Sequence, residues 1–158
     1  MLENKKKLCN FAGQVKQIIN KKKQMKMQTG DKYIYKFSYT QSDVELFAKV
    51  TGDNNPIHLD KNFAKSTPFG RPIMHGFLSA AVFSKVFGTL FPGQGTIYRS
   101  QEMKFLAPMF VDEIYTAEFE VTDILPEKHS GTISCKIYNS EEKICITGEA
   151  QLKHFEKF

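Results

Sequence analysis

From Asp31 onward, apolar and polar residues follow two distinct rhythms. KYIYKFSYT alternates with period two and is rich in Tyr, Phe and Ile, which predicts a strand. Ser42-Asp-Val-Glu45 then has capping-box spacing, and apolar positions Val44, Phe47, Ala48 and Val50 follow helical spacing up to Gly52. The predicted short helix gives way to a loop at 53–58, where Pro56 restricts Asn55 to extended backbone, and to a further helical turn at 60–66. In GRPIMHGFLSAAVFSKVFGTLFPG, small or apolar residues occupy nearly every side from about 75 to 91. A helix that is apolar all round is a buried one, and Pro92-Gly93 stops it. TIYRSQEMKF, EIYTAEFEVTDIL, GTISCKIYNS and KICITGEAQLKHF then read as strands, separated by polar turns at 108–113, 126–131 and 139–142. The order predicts an α+β fold, an antiparallel sheet covering one long helix, over a single domain at 31–158.

Residues 1–30 have another character. Eight lysines against the single acid Glu3 give them 8 − 1 = +7, whereas 31–158 carry 14 − 16 = −2. The overall charge of +5 therefore belongs to a basic N-terminal extension and not to the domain. A nucleic-acid partner would need a basic stripe on the fold itself, and the pattern contains none. Residues 12–25 of the extension fit either a basic amphipathic helix for a membrane surface or import receptor, or a solvated arm. No apolar run reaches the roughly 20 residues of a membrane span, and no signal-peptide core of about 7–15 apolar residues is present. Cys9, Cys135 and Cys145 lack metal-ligand spacing, and their odd number favours free thiols in a reducing compartment. A cytoplasmic location is expected, or the mitochondrial matrix if the basic extension is a transit peptide; Arg and Ser, common in such peptides, are missing from it.

The candidate chemistry lies in TGDNNPIHLD. Asp53 and His58 are two proton-transferring groups around a restricted Asn-Asn-Pro core, and histidine titrates near neutral pH. Asp-Asn-Asn-Pro is equally good turn chemistry, with side chains capping backbone groups, so taken alone the segment fits both uses. His75-Gly76 stands where the buried helix begins, and the first amides of a helix lack intrahelical partners. Glycine there lets a ligand oxygen approach a backbone N–H suited to a developing oxyanion. His75 is expected to cap or pack at the helix start, and Ser84 taken alone is expected to bond back to a carbonyl one turn earlier. Phe77, Phe83, Phe87 and Phe91 fit core and tunnel lining alike.

Val50 to Ala64 resembles the hydratase-2 motif of MaoC-like (R)-specific enoyl-CoA hydratases. Gly52, Asp53, Asn55, Pro56, Ile57, His58 and Ala64 fill its Gly-Asp-x-Asn-Pro-aliphatic-His and small-residue positions. The likeness continues through GRPIMHGFLSAAVFS, PGQGTIY and MKFLAPMFVDE, covering about 31–153. It implies a hot-dog fold, a curved antiparallel sheet around the helix at about 75–91, in homodimers whose sheets join edge to edge. It implies that Asp53 and His58 activate the water added to C3 of a trans-2-enoyl thioester, that the Gly76 amide receives the thioester oxygen, that Ser84 supports the aspartate and that Asn55 orders the loop. The implied substrate is an acyl-CoA thioester, with no metal or redox cofactor. Alternatives are a 3-hydroxyacyl-[acyl-carrier-protein] dehydratase, a thioesterase, which the intact dyad disfavours, and a non-catalytic acyl-thioester-binding protein.

Overall fold

The period-two segments pair into one five-stranded antiparallel sheet. The computed structural model describes residues 26–158; Cys9 and the helix considered at 12–25 fall outside them. The strands are β1 (Lys32–Phe37), β2 (Ile97–Phe105), β3 (Tyr115–Leu125), β4 (Ser130–Tyr138) and β5 (Ile144–Lys153), in the order β1-β3-β4-β5-β2. β3, β4 and β5 form a meander through the two short predicted turns, while β2 closes one side against β5 from Ile97↔Lys153 to Phe105↔Ile146. Alternation decides what faces the core. Tyr115, Ala117, Phe119 and Val121 of β3 are buried, as are Ile133, Cys135 and Ile137 of β4. Bulges at Val121/Asp123 and Tyr98/Ser100 bend their strands.

Helix α1 (Gln41–Thr51) is capped two residues upstream of the box expected at Ser42. Thr40 is the cap: its hydroxyl accepts from the Asp43 N–H at 3.3 Å, and the Asp43 carboxylate accepts from the Thr40 N–H at 2.8 Å. T-Q-S-D-V-E spells two overlapping boxes. The upstream one prevails because Thr40 has the extended backbone a cap requires (φ −94°, ψ 168°), whereas Ser42 already lies in the first helical turn. Two short helices follow, α2 (Pro56–Leu59) and α3 (Lys61–Lys65), and then the long helix α4 (Gly76–Thr89).

Leu78, Val82, Phe83, Val86 and Phe87 turn one face of α4 into the sheet. The rings of Phe83 and Phe87 meet Phe119 edge-on at 5.7 Å and 5.3 Å. The expectation of burial on every side does not hold: Phe77, Ala81, Ser84, Lys85 and Gly88 are exposed. A single sheet covers only one side of a helix, and nothing else among the described residues covers the other. The four phenylalanines separate accordingly, with Phe83 and Phe87 in the core, Phe91 stacked on Tyr33 at 5.5 Å and Phe77 68% exposed. Cys135 and Cys145 are buried free thiols. Cys135 lies opposite Gly148, and burial pushes its thiol up to about 12, which makes it a packing group. Among the described residues no helix is long and apolar enough to cross a membrane.

One close approach holds β2 to β5. A Cβ at Gly148 would stand 2.1 Å from the Glu102 carbonyl oxygen, a backbone atom that cannot swing aside. Gly148→Ala is therefore expected to destabilise the fold by at least about 2 kcal/mol through overpacking. Urea unfolding measures this, and an unchanged midpoint would contradict the described register.

Candidate active site

The segment after α1 is a chain of local caps. Gly52 leaves the helix in the left-handed region (φ 80°), donating its N–H to the Ala48 carbonyl at 2.8 Å. Asp53 Oδ1 then accepts from the Asn55 N–H at 3.3 Å, and Asn55 Oδ1 accepts from the Ile57 N–H at 3.2 Å. Asn55, extended as the following proline requires (φ −57°, ψ 124°), is thereby the cap of α2, with Pro56 in its first turn. Asp60 repeats the device for α3, accepting from Asn62 and Phe63, and Ala64 is wholly buried beneath it. The stretch expected as a loop up to residue 58 thus contains a helical turn that carries His58. That turn buries His58 to 9% exposure and leaves Asp53 open.

His58 Nδ1 lies 2.8 Å from the Ile73 carbonyl oxygen. A carbonyl only accepts, so Nδ1 carries the hydrogen and Nε2 of the neutral ring is the basic nitrogen. The carbonyl is itself held in place, because the Ile73 N–H reaches Ile57 O at 3.3 Å and the Met74 N–H reaches Met109 O at 2.8 Å. Burial lowers the His58 pKa below its ordinary 6.5, opposed by the Ile73 hydrogen bond, reinforced by His75 and opposed again by Asp53. The resulting group is a neutral imidazole available as a base near pH 7.

His75 occupies the cap position of α4, yet its side chain makes no capping bond. It turns back instead, donating Nε2–H to the Asp53 main-chain oxygen at 3.0 Å and packing on the His58 ring at 3.9 Å between centroids. Asp53, His58 and His75 each offer a ligand atom within 4.8 Å of the others, a spacing that a metal ion can use. Nδ1 of His58 and Nε2 of His75 are already engaged with main-chain oxygens, which leaves one free nitrogen on each ring.

With no cap from His75, nothing among the described residues accepts the Gly76 N–H at the positive end of the α4 dipole. Gly76 also lies at the boundary of two hollows. One, of about 320 Å³, is largely apolar and is lined by His58, Gly76, Ser79, Phe105, Met109 and Ile146 among others. The second, of about 260 Å³, is lined by Phe47, Thr51, Asp53, His75, Gly76 and Phe77. A side chain on Gly76 would put its Cβ 2.9 Å from the Phe105 ring.

Asp53, Asn55, His58, His75 and Gly76 are therefore brought together. Ser84 is not: it is exposed on α4, two turns or about 12 Å beyond Gly76 along the axis, its hydroxyl without a hydrogen bond among the described residues. Sequence reasoning missed Ile73, Ser79 and Phe105. Ile73 acts through its carbonyl, and Phe105 arrives from the sheet, so neither leaves a local signal. Ser79 had one: it stands one helical turn after His75, whose carbonyl accepts its hydroxyl at 3.1 Å.

The family model for the MaoC like domain matches residues 11–143. A 3-hydroxybutyryl-CoA dehydratase of Methylorubrum extorquens is 39% identical over 127 residues, 80% of this chain and 80% of that protein. An (R)-specific enoyl-CoA hydratase of Aeromonas caviae is also 39% identical over 127 residues, 80% of this chain and 95% of that protein. The solved structure of the (R)-hydratase from A. caviae involved in PHA biosynthesis superposes with a TM-score of 0.78 at 38% identity, covering 81% of this chain and 97% of that one.

The environment of His58 has a consequence for pH. The unfolded chain takes up a proton near the ordinary 6.5, whereas buried His58 does so only lower. Its contribution to stability is thus complete above that ordinary value and is lost as pH falls through the folded one. Nitrogen-15 NMR should show His58 titrating below 6.5. Urea midpoints should fall between about pH 7.5 and about pH 5, with a smaller fall in His58→Gln.

Proposed function

The chain belongs to the MaoC-like family, and from that premise we propose that it is an (R)-specific enoyl-CoA hydratase, adding water reversibly to a trans-2-enoyl thioester. One observation carries this most directly: His58 and the unengaged Gly76 amide border an apolar hollow, and a carboxylate oxygen of Asp53 lies within 4.8 Å of a His58 ring nitrogen. The acyl chain occupies that hollow, and the thioester passes Gly76 toward the second one.

Water is held between the Asp53 carboxylate and His58 Nε2. His58 takes one proton as the water oxygen bonds to C3. The C2–C3 π electrons move toward the thioester carbonyl, whose oxygen gains negative charge and accepts the Gly76 N–H. The proton returns to C2 and the hydroxyl remains on C3, giving a 3-hydroxyacyl thioester. Asp53 orients the water and stabilises the transient imidazolium, while Asn55 keeps the loop in shape through its cap. A preorganised oxyanion donor is worth roughly 3–4 kcal/mol of barrier, so Gly76 matters as much as the base. These steps use protein groups and substrate alone, with no metal or redox cofactor.

The exposed stripe on α4 and the free edge of β2, with Ile97, Phe105 and Leu106 about half exposed, favour a homodimer. Pairing β2 with its copy would satisfy that edge. It would also bring the Ser84 face of α4 against a partner, the route by which Ser84 could support an aspartate. The name of the dehydratase relative, like that of the hydratase, specifies CoA, which favours CoA over acyl carrier protein as the substrate's carrier.

Purified protein is expected to remove the ultraviolet absorbance of crotonyl-CoA. Asp53→Asn and His58→Ala should each lower kcat by about 10²–10⁴ with unchanged circular dichroism. An active double variant would sink the mechanism. Faster turnover of carrier-protein substrates than of CoA substrates would reverse the carrier assignment.

A further inference from the structure

His75 is 2% exposed, packed between the rings of Phe47 at 5.0 Å and His58 at 3.9 Å. Its Nε2–H is donated to the Asp53 main-chain oxygen at 3.0 Å, and its own carbonyl accepts both the hydroxyl and the N–H of Ser79, at 3.1 Å and 3.0 Å. The next residue is Gly76. One side chain therefore reaches from the head of α4 to the loop bearing Asp53 and to the ring of His58. Packing alone does not account for a histidine there. Its Nδ1 is buried without a partner among the described residues, which leaves the cost of its desolvation unrecovered. A phenylalanine would fill similar space without that cost.

We propose that His75 is a positioning residue, tying the Asp53–His58 pair to the Gly76 amide so that the water-activating and oxyanion-binding groups keep one spacing. The proposal rests on the hydratase function argued above. The tie acts through the main chain of Asp53 and leaves the carboxylate free for water. It joins parts of the chain that also meet through the His58 Nδ1–H to Ile73 O and Ile73 N–H to Ile57 O hydrogen bonds. Displacement of a catalytic group by about 1 Å can cost roughly 10²-fold in rate, so a single hydrogen bond at this position has leverage.

The test compares His75→Phe, which keeps a ring, with His75→Gln, whose amide can again donate to the Asp53 carbonyl, and His75→Asn, which is too short to do so. With crotonyl-CoA, His75→Phe and His75→Asn are expected to lose about 10–100-fold in kcat with KM within about twofold, and His75→Gln to recover most of that loss. Thermal stability of His75→Phe should be equal to native or higher. Adding Asp53→Asn to His75→Phe should cost far less than adding it to the native chain, because a misplaced aspartate has little left to lose. Native kcat in His75→Phe, equal losses in His75→Phe and His75→Gln, or an additive cycle would each overturn the assignment. If His75→Phe does not fold, the contrast between Gln and Asn decides. Should native protein show no hydratase activity, the functional reading fails by itself. The tie is then read by nitrogen-15 NMR, which should find His75 protonated at Nε2 with a slowly exchanging ring hydrogen; an Nδ1-protonated ring would disprove it.

Discussion

Phe83 and Phe87 lock α4 against Phe119 of the sheet, and with the helix axis held, the amides at its head cannot turn away from the segment carrying Asp53 and His58. The direction of the Gly76 N–H is thus set by ring packing along the helix, well away from any reacting atom. The other groups of the site accommodate that fixed donor. The chain entering α4 places the Ile73 carbonyl where His58 needs an acceptor, and His75 where Asp53 needs a donor.

The electrostatics depend on the same packing. Burial keeps His58 neutral, and the hydrogen bond to Ile73 decides which nitrogen is bare. Asp53, earlier in the same segment and exposed, keeps its carboxylate at the surface of the fold. Two proton-handling groups side by side therefore have different environments, one desolvated and one hydrated, which is how a pair divides its tasks. The hollow beside them is largely apolar, so a hydrogen bond made at its lining is screened less than one made in open water. A Cβ at position 76 would stand 2.9 Å from the Phe105 ring, so any larger residue there would require that ring to shift.

Much of this was legible in local spacing. Alternation in 115–121 and 131–137 announced the sheet, and the small-and-apolar run before Pro92-Gly93 announced the helix. The Asp-Asn-Asn-Pro-Ile-His segment contained its own cap, its own turn and an ionisable group at each end within six positions. Local patterns misled where two were superposed. Thr40 displaced Ser42 as a cap because backbone conformation chose between equivalent side chains. The apolar character of α4 concealed an open face, because hydrophobicity does not record which neighbours exist to cover it.

The division between the two sources is physical. Interactions that close within a few residues (caps, turns, periodicity) depend on covalent spacing, so the sequence by itself determined the elements, the architecture and the pairing of Asp53 with His58. Interactions that close between distant segments depend on how helix and sheet pack. Only the tertiary structure decided that His75 reaches back to Asp53, that Ile73 selects the His58 tautomer and that Phe105 lies over Gly76. Carbonyls and ring orientations carry no letter in a sequence, and they appear only when packing brings their partners within hydrogen-bonding or van der Waals distance.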